Sequence, residues 1–315
     1  MGLFGKAGKS EGWLAIAMVA DGVQAAVVQR RPGALPLVRL AVSYPGGAEQ
    51  NGASLAKLGR ELHADRYRCT SLLGAGAYQL LMVEAPNVPA DEMKTALGWR
   101  VKDMIDFPLE DATIDMALLP PPASAGASHS RQAFAVAARN GPIEQHQRLF
   151  ADSKIPLEAI DIGEMAQRNI SAMLEPEGRG VALLAFDQDG GLLTVSFQGE
   201  LYLARRIDVP LSQLMDPDAE RLQQAHDRIT LELQRSLDHF ERQFHFVAVA
   251  KLVLAPVGDG KLLAYLSSNL YLPVEQLDLA KVLDLSEAEH LRDAVAQNSF
   301  LATLGAALRE EERKA

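Results

Sequence analysis

Apolar and polar positions alternate in short runs at two places along the chain, in nearly the same order. Trp13–Ser43 (WLAIAMVADGVQAAVVQRRPGALPLVRLAVS) and Val181–Asp208 (VALLAFDQDGGLLTVSFQGELYLARRID) each give three strand-like runs broken by Asp/Gly, Pro/Gly or Gly/Glu turns. A three-stranded meander opening each half predicts a duplicated domain with a cleft between the copies.

Behind the first meander, Leu55, Leu58 and Leu62 fall at helical spacing within Ser54–His63. Strand-like runs follow at Thr70–Leu73 and Gln79–Val83. The prolines of Ala85–Ala90 then stop regular structure, because proline fixes φ and lacks an N–H. Asp91–Phe107 reads as a helix, acidic in its first turn and closed by Pro108, with Met93, Leu97, Val101, Met104 and Ile105 as its apolar lane. Trp99 lies about 200° from Leu97 on that wheel, among Glu92, Asp103 and Asp106. It is either a second packing contact or an anchor for a partner.

Ile114–Leu119 and Gln132–Arg139 read as strands flanking Pro120–Ser130, a low-complexity loop long enough to move. A helix (Pro142–Ser153), a strand (Leu157–Ile162) and a helix (Glu164–Leu174) complete the first half, and Glu175–Gly180 marks the boundary. In the second half, Leu222, Ala225, Ile229, Leu233, Leu237, Phe240 and Phe244 make Asp218–Phe244 a long amphipathic helix. A strand (Val247–Leu254), a helix (Lys261–Leu270), a short strand (Val274–Leu277) and a C-terminal helix (Ser299–Glu310) follow. The pattern thus gives a tail at 1–12, a first α/β domain at 13–175 with a small insertion at about 91–139, and a second at 181–315.

Composition narrows the function classes. A net charge of −10 argues against nucleic acid as a partner. Met1–Ser10 lacks an apolar run long enough for a secretory signal; it is either a disordered terminus or a short tail touching a membrane through Leu3, Phe4, Lys6 and Lys9. Through residue 44, five basic residues face two acidic ones. The single Cys69 sits in an apolar run as a core residue and fits a reducing compartment. His239 and His245 lie about 240° apart on a continuous helix, so they do not form a ligand pair. No catalytic residue and no metal set is assigned.

The order of these elements and several local motifs carry a family likeness. Glu232–Phe244 (ELQRSLDHFERQF) followed by Lys251–Ala255 (KLVLA), and Leu272–Leu277 (LPVEQL), resemble the PilM family, cytoplasmic actin-like proteins of type IV pilus assembly. Trp99–Pro108 (WRVKDMIDFP) and Gly12–Ala17 (GWLAIA) look more like its MshI branch, which serves mannose-sensitive haemagglutinin (MSHA) pili. The cytoplasmic part of GspL is a more distant cousin.

The resemblance implies a duplicated RNase-H-like, actin-like α/β fold with small inserted subdomains. In that family ATP and Mg²⁺ are held by an Asp-x-Gly turn after the first strand of each half and by a Gly-Gly pair near the adenosine. This chain departs at all three. Ala17 and Val19 stand where the first Asp and Gly belong. Asp187, Asp189, Gly190 and Gly191 are shifted in the second turn. Pro256 replaces a glycine ahead of Gly258 and Gly260.

The family therefore implies a scaffold at the inner membrane, without catalysis and without an expected cofactor. It would bind the N-terminal tail of a PilN-like (MshJ-like) membrane protein alongside other pilus assembly proteins, with Trp99 and Phe107 as candidate contacts. The alternative is an active ATPase using Asp187 and Asp189 to place Mg²⁺. Asp21-Gly22 and Gly190-Gly191 also fit ordinary hairpin turns, whose positive φ favours these residues.

Overall fold

The computed structural model describes residues 12–47, 50–120 and 131–310; the readings made for residues 1–11 and 121–130 lie outside them. The chain forms two compact units, one of Met1–Leu72 with Ser153–Ala315 and one of Leu73–Asp152. The expected insertion, about 91–139, falls within the second.

In the larger unit both meanders form as expected. Strands β1 (Trp13–Val19), β2 (Gly22–Arg31) and β3 (Ala34–Pro45) pair antiparallel. Strands β4 (Arg68–Leu73) and β8 (Leu157–Ile162) extend this sheet in the order β3-β2-β1-β4-β8, with β4 parallel to β1. The second sheet repeats the plan. Strands β9 (Gly180–Asp187), β10 (Gly190–Phe197) and β11 (Glu200–Ile207) form the meander. Strands β12 (Val249–Leu254) and β13 (Val274–Gln276) complete the order β11-β10-β9-β12-β13, with β12 parallel to β9.

One glycine holds each meander closed in the same way. Gly22 and Gly190 are the first residues of the two second strands, at φ +147° and +132°. A Cβ on Gly22 would drive into the carbonyl oxygen of Tyr44, and one on Gly190 would lie 2.6 Å from that of Ile207. The third strand can therefore run close only where the side chain is absent.

Helices α4 (Gly163–Ser171) and α8 (Ala294–Ala307) pack against each other at the centre of the core. The core joins Ala15, Ala26 and Val38 of the first sheet to Val181, Leu183 and Val253 of the second through Ile170, Phe300, Leu301 and Leu304. α8 is apolar nearly all round, as suits a helix enclosed on several sides. It begins five residues before the expected Ser299, because Asp293 caps it by accepting from the N–H groups of Val295 (2.9 Å) and Ala296 (3.0 Å). Helix α6 (Ala219–Gln243) follows its sequence pattern; Asp218 caps it, and Ala225, Ile229, Leu233 and Phe240 are buried. Helix α1 (Asn51–Glu61) buries Leu55 and Leu58, Cys69 is buried, and α5 (Leu211–Leu214) and α7 (Lys261–Asn269) flank α6.

The smaller unit is a three-stranded antiparallel sheet of β5 (Tyr78–Glu84), β7 (Gln132–Arg139) and β6 (Ala112–Leu118), in the order β5-β7-β6. Helix α2 (Met93–Val101) packs on it through Leu97 and Val101 against Val83 and Ala135, and α3 (Asn140–Asp152) follows β7. The sequence predicts a helix running on to Phe107, but α2 ends at Val101. Pro108 disfavours helical backbone at the residue before it. The turns at 102–107 bring Phe107 inward beneath Arg139, whose guanidinium lies 4.6 Å from the ring centre, and leave Met104 exposed.

Candidate functional site

In open α/β sheets, ligands gather beyond the carboxyl ends of parallel strands. In the second half two loops leave that end of the β9–β12 pair, which the Ala255 N–H extends by donating to Leu184 O at 2.8 Å. The first is the turn Asp187–Gly190, the second the loop Pro256–Gly260.

Asp187 serves its own turn. Its Oδ1 accepts from the N–H groups of Asp189 (2.8 Å) and Gly190 (3.1 Å), an arrangement that fixes the backbone locally. Crowding by the surrounding chain desolvates the carboxyl and raises its pKa against the pull of Arg206 and these two N–H groups. Asp189 is exposed, and Gly190 is held by the approach of β11.

Gly258 and Gly260, at φ +53° and +83°, bracket Asp259 in the second loop. Asp259 is engaged by Lys261, whose Nζ lies 2.7 Å from Oδ2 and whose N–H donates to Oδ1 at 3.2 Å, so its carboxyl is held below the usual range. A Cβ on Gly258 would lie 3.3 Å from the sulfur of the exposed Met215. Beside this loop the Tyr265 hydroxyl donates to Asp227 Oδ1, and its ring lies 5.2 Å from that of the buried His226. Burial lowers the His226 pKa. Sequence reasoning missed this trio, because α6 and α7 meet only in space.

In the first half the equivalent positions lie inside the ladder: Ala17 pairs with Gln24 and Val19 with Gly22. α8 joins the two meanders. Gln24 donates to Ser299 Oγ (2.7 Å) and accepts from Thr303 Oγ1 (3.1 Å), while Asn298 Nδ2 donates to Phe186 O (3.1 Å). A half-buried ion pair joins α4 to β11: the exposed Arg206 places Nη2 2.9 Å from Oε1 of the buried Glu164. Among the described residues, no three His, Cys, Asp or Glu side chains gather as a metal site.

The two candidate partner contacts are separated by their exposure. Trp99 is 64% exposed on the outer face of α2, where Lys102 Nζ lies 5.5 Å from its ring centre, so the packing reading of Trp99 is not what the fold uses. Phe107 is 8% exposed and covered by Arg139. Among the described residues no helix is long and apolar enough to cross a membrane.

No family model matches the chain, and no curated protein matches its sequence. Among solved structures, the PilM–PilN type IV pilus biogenesis complex matches with a TM-score of 0.76 at 20% identity, over 96% of this chain and 98% of that one. The cytoplasmic domain of EpsL, an inner-membrane component of the type II secretion system of Vibrio cholerae, matches at 0.50 and 15% identity, over 96% and 97%. The chain has the actin-like α/β fold that its motifs imply.

Proposed function

We propose that this chain is a non-catalytic, actin-like scaffold of a type IV or MSHA-type pilus assembly. It sits in the cytoplasm, held at the inner membrane by the N-terminal tail of a PilN-like (MshJ-like) protein. The observation that carries this reading is that Asp187, Asp259 and the two meander glycines, groups that nucleotide binding would use, are engaged within the protein. Asp189 alone of the candidate carboxylates is exposed without a side-chain partner among the described residues. Phosphate needs backbone N–H groups open to approach, and Mg²⁺ needs a carboxylate free to hold its water shell. Here the Gly22 and Gly190 positions admit a neighbouring strand, Asp187 closes its own turn, and Asp259 is paired with Lys261. Positions 17 and 19 offer only alanine and valine within β1. The likeness to a protein solved in complex with PilN supports the choice of partner.

Two measurements test the two halves of the reading. Thermal unfolding with millimolar Mg-ATP or Mg-ADP should show no shift. A site filled at 100 times its dissociation constant would add about 2.7 kcal/mol, and a shift of that order would favour an ATPase that cycles its cleft. Flotation with vesicles carrying the PilN-like protein should bring this chain to the lipid fraction; failure to float would sink the scaffold assignment.

A further inference from the structure

We infer that the outer face of α2 and the turns after it recognise a basic peptide with an apolar anchor, a deepening that rests on the tail-binding reading above. Trp99 (64% exposed) and Met104 (49% exposed) are two large apolar side chains that the fold of this unit leaves in solvent. An aromatic of this size in water is a strong anchor for a partner, because covering it removes much apolar area and fixes few torsions.

The surroundings select the partner's charge. Seven acidic and three basic residues lie between positions 91 and 115. Two of the bases are already engaged, Lys94 with Asp115 at 2.8 Å and Arg100 with Glu84 at 3.4 Å. The third, Lys102, rests near the Trp99 ring. Asp91, Glu92 and Asp103 are exposed and make no ion pair among the described residues. Glu92 precedes the first turn of α2, and Asp103 follows its last, four positions beyond Trp99. The surface is therefore an indole flanked by uncompensated carboxylates, with one ammonium already within cation–π range of its ring.

The tail of an inner-membrane protein that stays in the cytoplasm has the complementary character. Lys and Arg accumulate on cytoplasmic segments close to a membrane span. A peptide placing Leu or Phe against Trp99 and Met104 would put such cations among Glu92 and Asp103. Opposed potentials would also raise the rate of encounter, and they make binding fall with salt.

The test uses the full chain and fluorescein-labelled peptides whose Leu and Phe are flanked by arginines, compared with the same peptides carrying glutamates. Anisotropy titration should show binding of the arginine form only, weakening several-fold between 50 and 300 mM salt. Trp99→Ala should weaken it at least tenfold, equivalent to about 1.4 kcal/mol. Glu92→Gln with Asp103→Asn should weaken it and flatten the salt dependence. All three positions are on the surface, so the variants should unfold at the wild-type temperature. Equal binding of the two peptide forms, no binding, or no loss with Trp99→Ala overturns the proposal. In the vesicle assay, equal flotation of wild type and Trp99→Ala overturns this contact alone. Failure of wild type to float overturns the parent reading, and flotation with bare anionic vesicles would make the surface a lipid contact instead.

Discussion

Replacing Gly305 by alanine tests the close contact between α4 and α8. Gly305 lies inside α8, where glycine costs about 1 kcal/mol relative to alanine, so helix propensity alone would favour the change. Its neighbourhood decides otherwise. An added Cβ would fall 2.6 Å from the carbonyl carbon of Ala166 and 3.1 Å from its Cα, with the carbonyl oxygen closer still. All three are main-chain atoms of α4, so no side chain can swing aside. The helices would have to separate by about an ångström, loosening the packing around Ile170, Leu301 and Leu304 and stretching the 2.9 Å bond from Asn169 Nδ2 to Gly305 O.

Overpacking of this kind costs about 1–3 kcal/mol, and a contact between backbones belongs at the upper end. Loss of the Asn169 bond adds about 1 kcal/mol, and the gain in helix propensity removes a similar amount. The expected loss is therefore about 3 kcal/mol. At roughly 2–4 °C per kcal/mol for a unit of this size, that lowers Tm by roughly 6–12 °C. Urea titration should show a lower midpoint with an unchanged slope. Gly141→Ala, in α3 where nothing lies within 4 Å of the added Cβ, is the control and should be neutral or stabilising by less than about 1 kcal/mol. A wild-type midpoint for Gly305→Ala would refute the reasoning.

Gln167→Leu should cost about 2 kcal/mol in urea unfolding, since the two Nε2 hydrogens serve three acceptors, Leu183 O, Leu192 O and Thr194 Oγ1, at 2.8–3.0 Å in a buried site, one hydrogen being shared; a loss below about 0.5 kcal/mol would show that water replaces the amide. Burial lowers the pKa of His146 and His226, so the native state resists protonation that the unfolded chain accepts. Their contribution is fully present above the unfolded value of about 6.5 and is lost as pH falls below it. Stability should therefore decline between pH 7 and 5.5, less steeply in His226→Gln, and a flat profile would count against this. For Asp187 the sign reverses: its raised carboxyl favours the protonated native form, so its cost to stability grows as pH rises through the carboxylate range. Asp187→Asn keeps an acceptor for the turn without the charge and should be at least as stable as wild type at pH 7 in a thermal melt; a clear drop there would assign the carboxylate a partner the turn does not show.

Where the sequence was legible, a short-range pattern decided the structure. Both meanders and the lane of α6 needed only local alternation or a 3.6-residue period. The misreadings come from longer range. The apolar spacing of Met104 and Ile105 continued a helical lane past Val101, but Pro108 and the seating of Phe107 under Arg139 turned the chain first. Residues 277–293 show no period, and they are placed by docking on the edge of β3, where Asp284 exchanges backbone bonds with Pro36 and Val38 and meets Arg31 at 2.7 Å. Of the candidate site, the Asp187 turn was visible as Asp-x-Asp-Gly, whereas the meeting of His226, Asp227 and Tyr265 was not, because it joins two helices.

The same distinction explains why the duplicated halves cannot be understood one at a time. α4 follows the first sheet in sequence, yet its Gln167 bonds to β9 and β10 of the second. α8 follows the second sheet, yet its Ser299 and Thr303 hold Gln24 of β2 in the first. Each half thus lends its closing helix to the other, and the two helices meet where Gly305 lies against Ala166. An exchange of this kind leaves no trace in local periodicity, since each helix shows only which of its faces is apolar. It accounts for both sheets falling within one compact unit, although the sequence repeats itself across the boundary at Glu175–Gly180. A protein built this way couples any shift of one meander to the other through the α4–α8 contact.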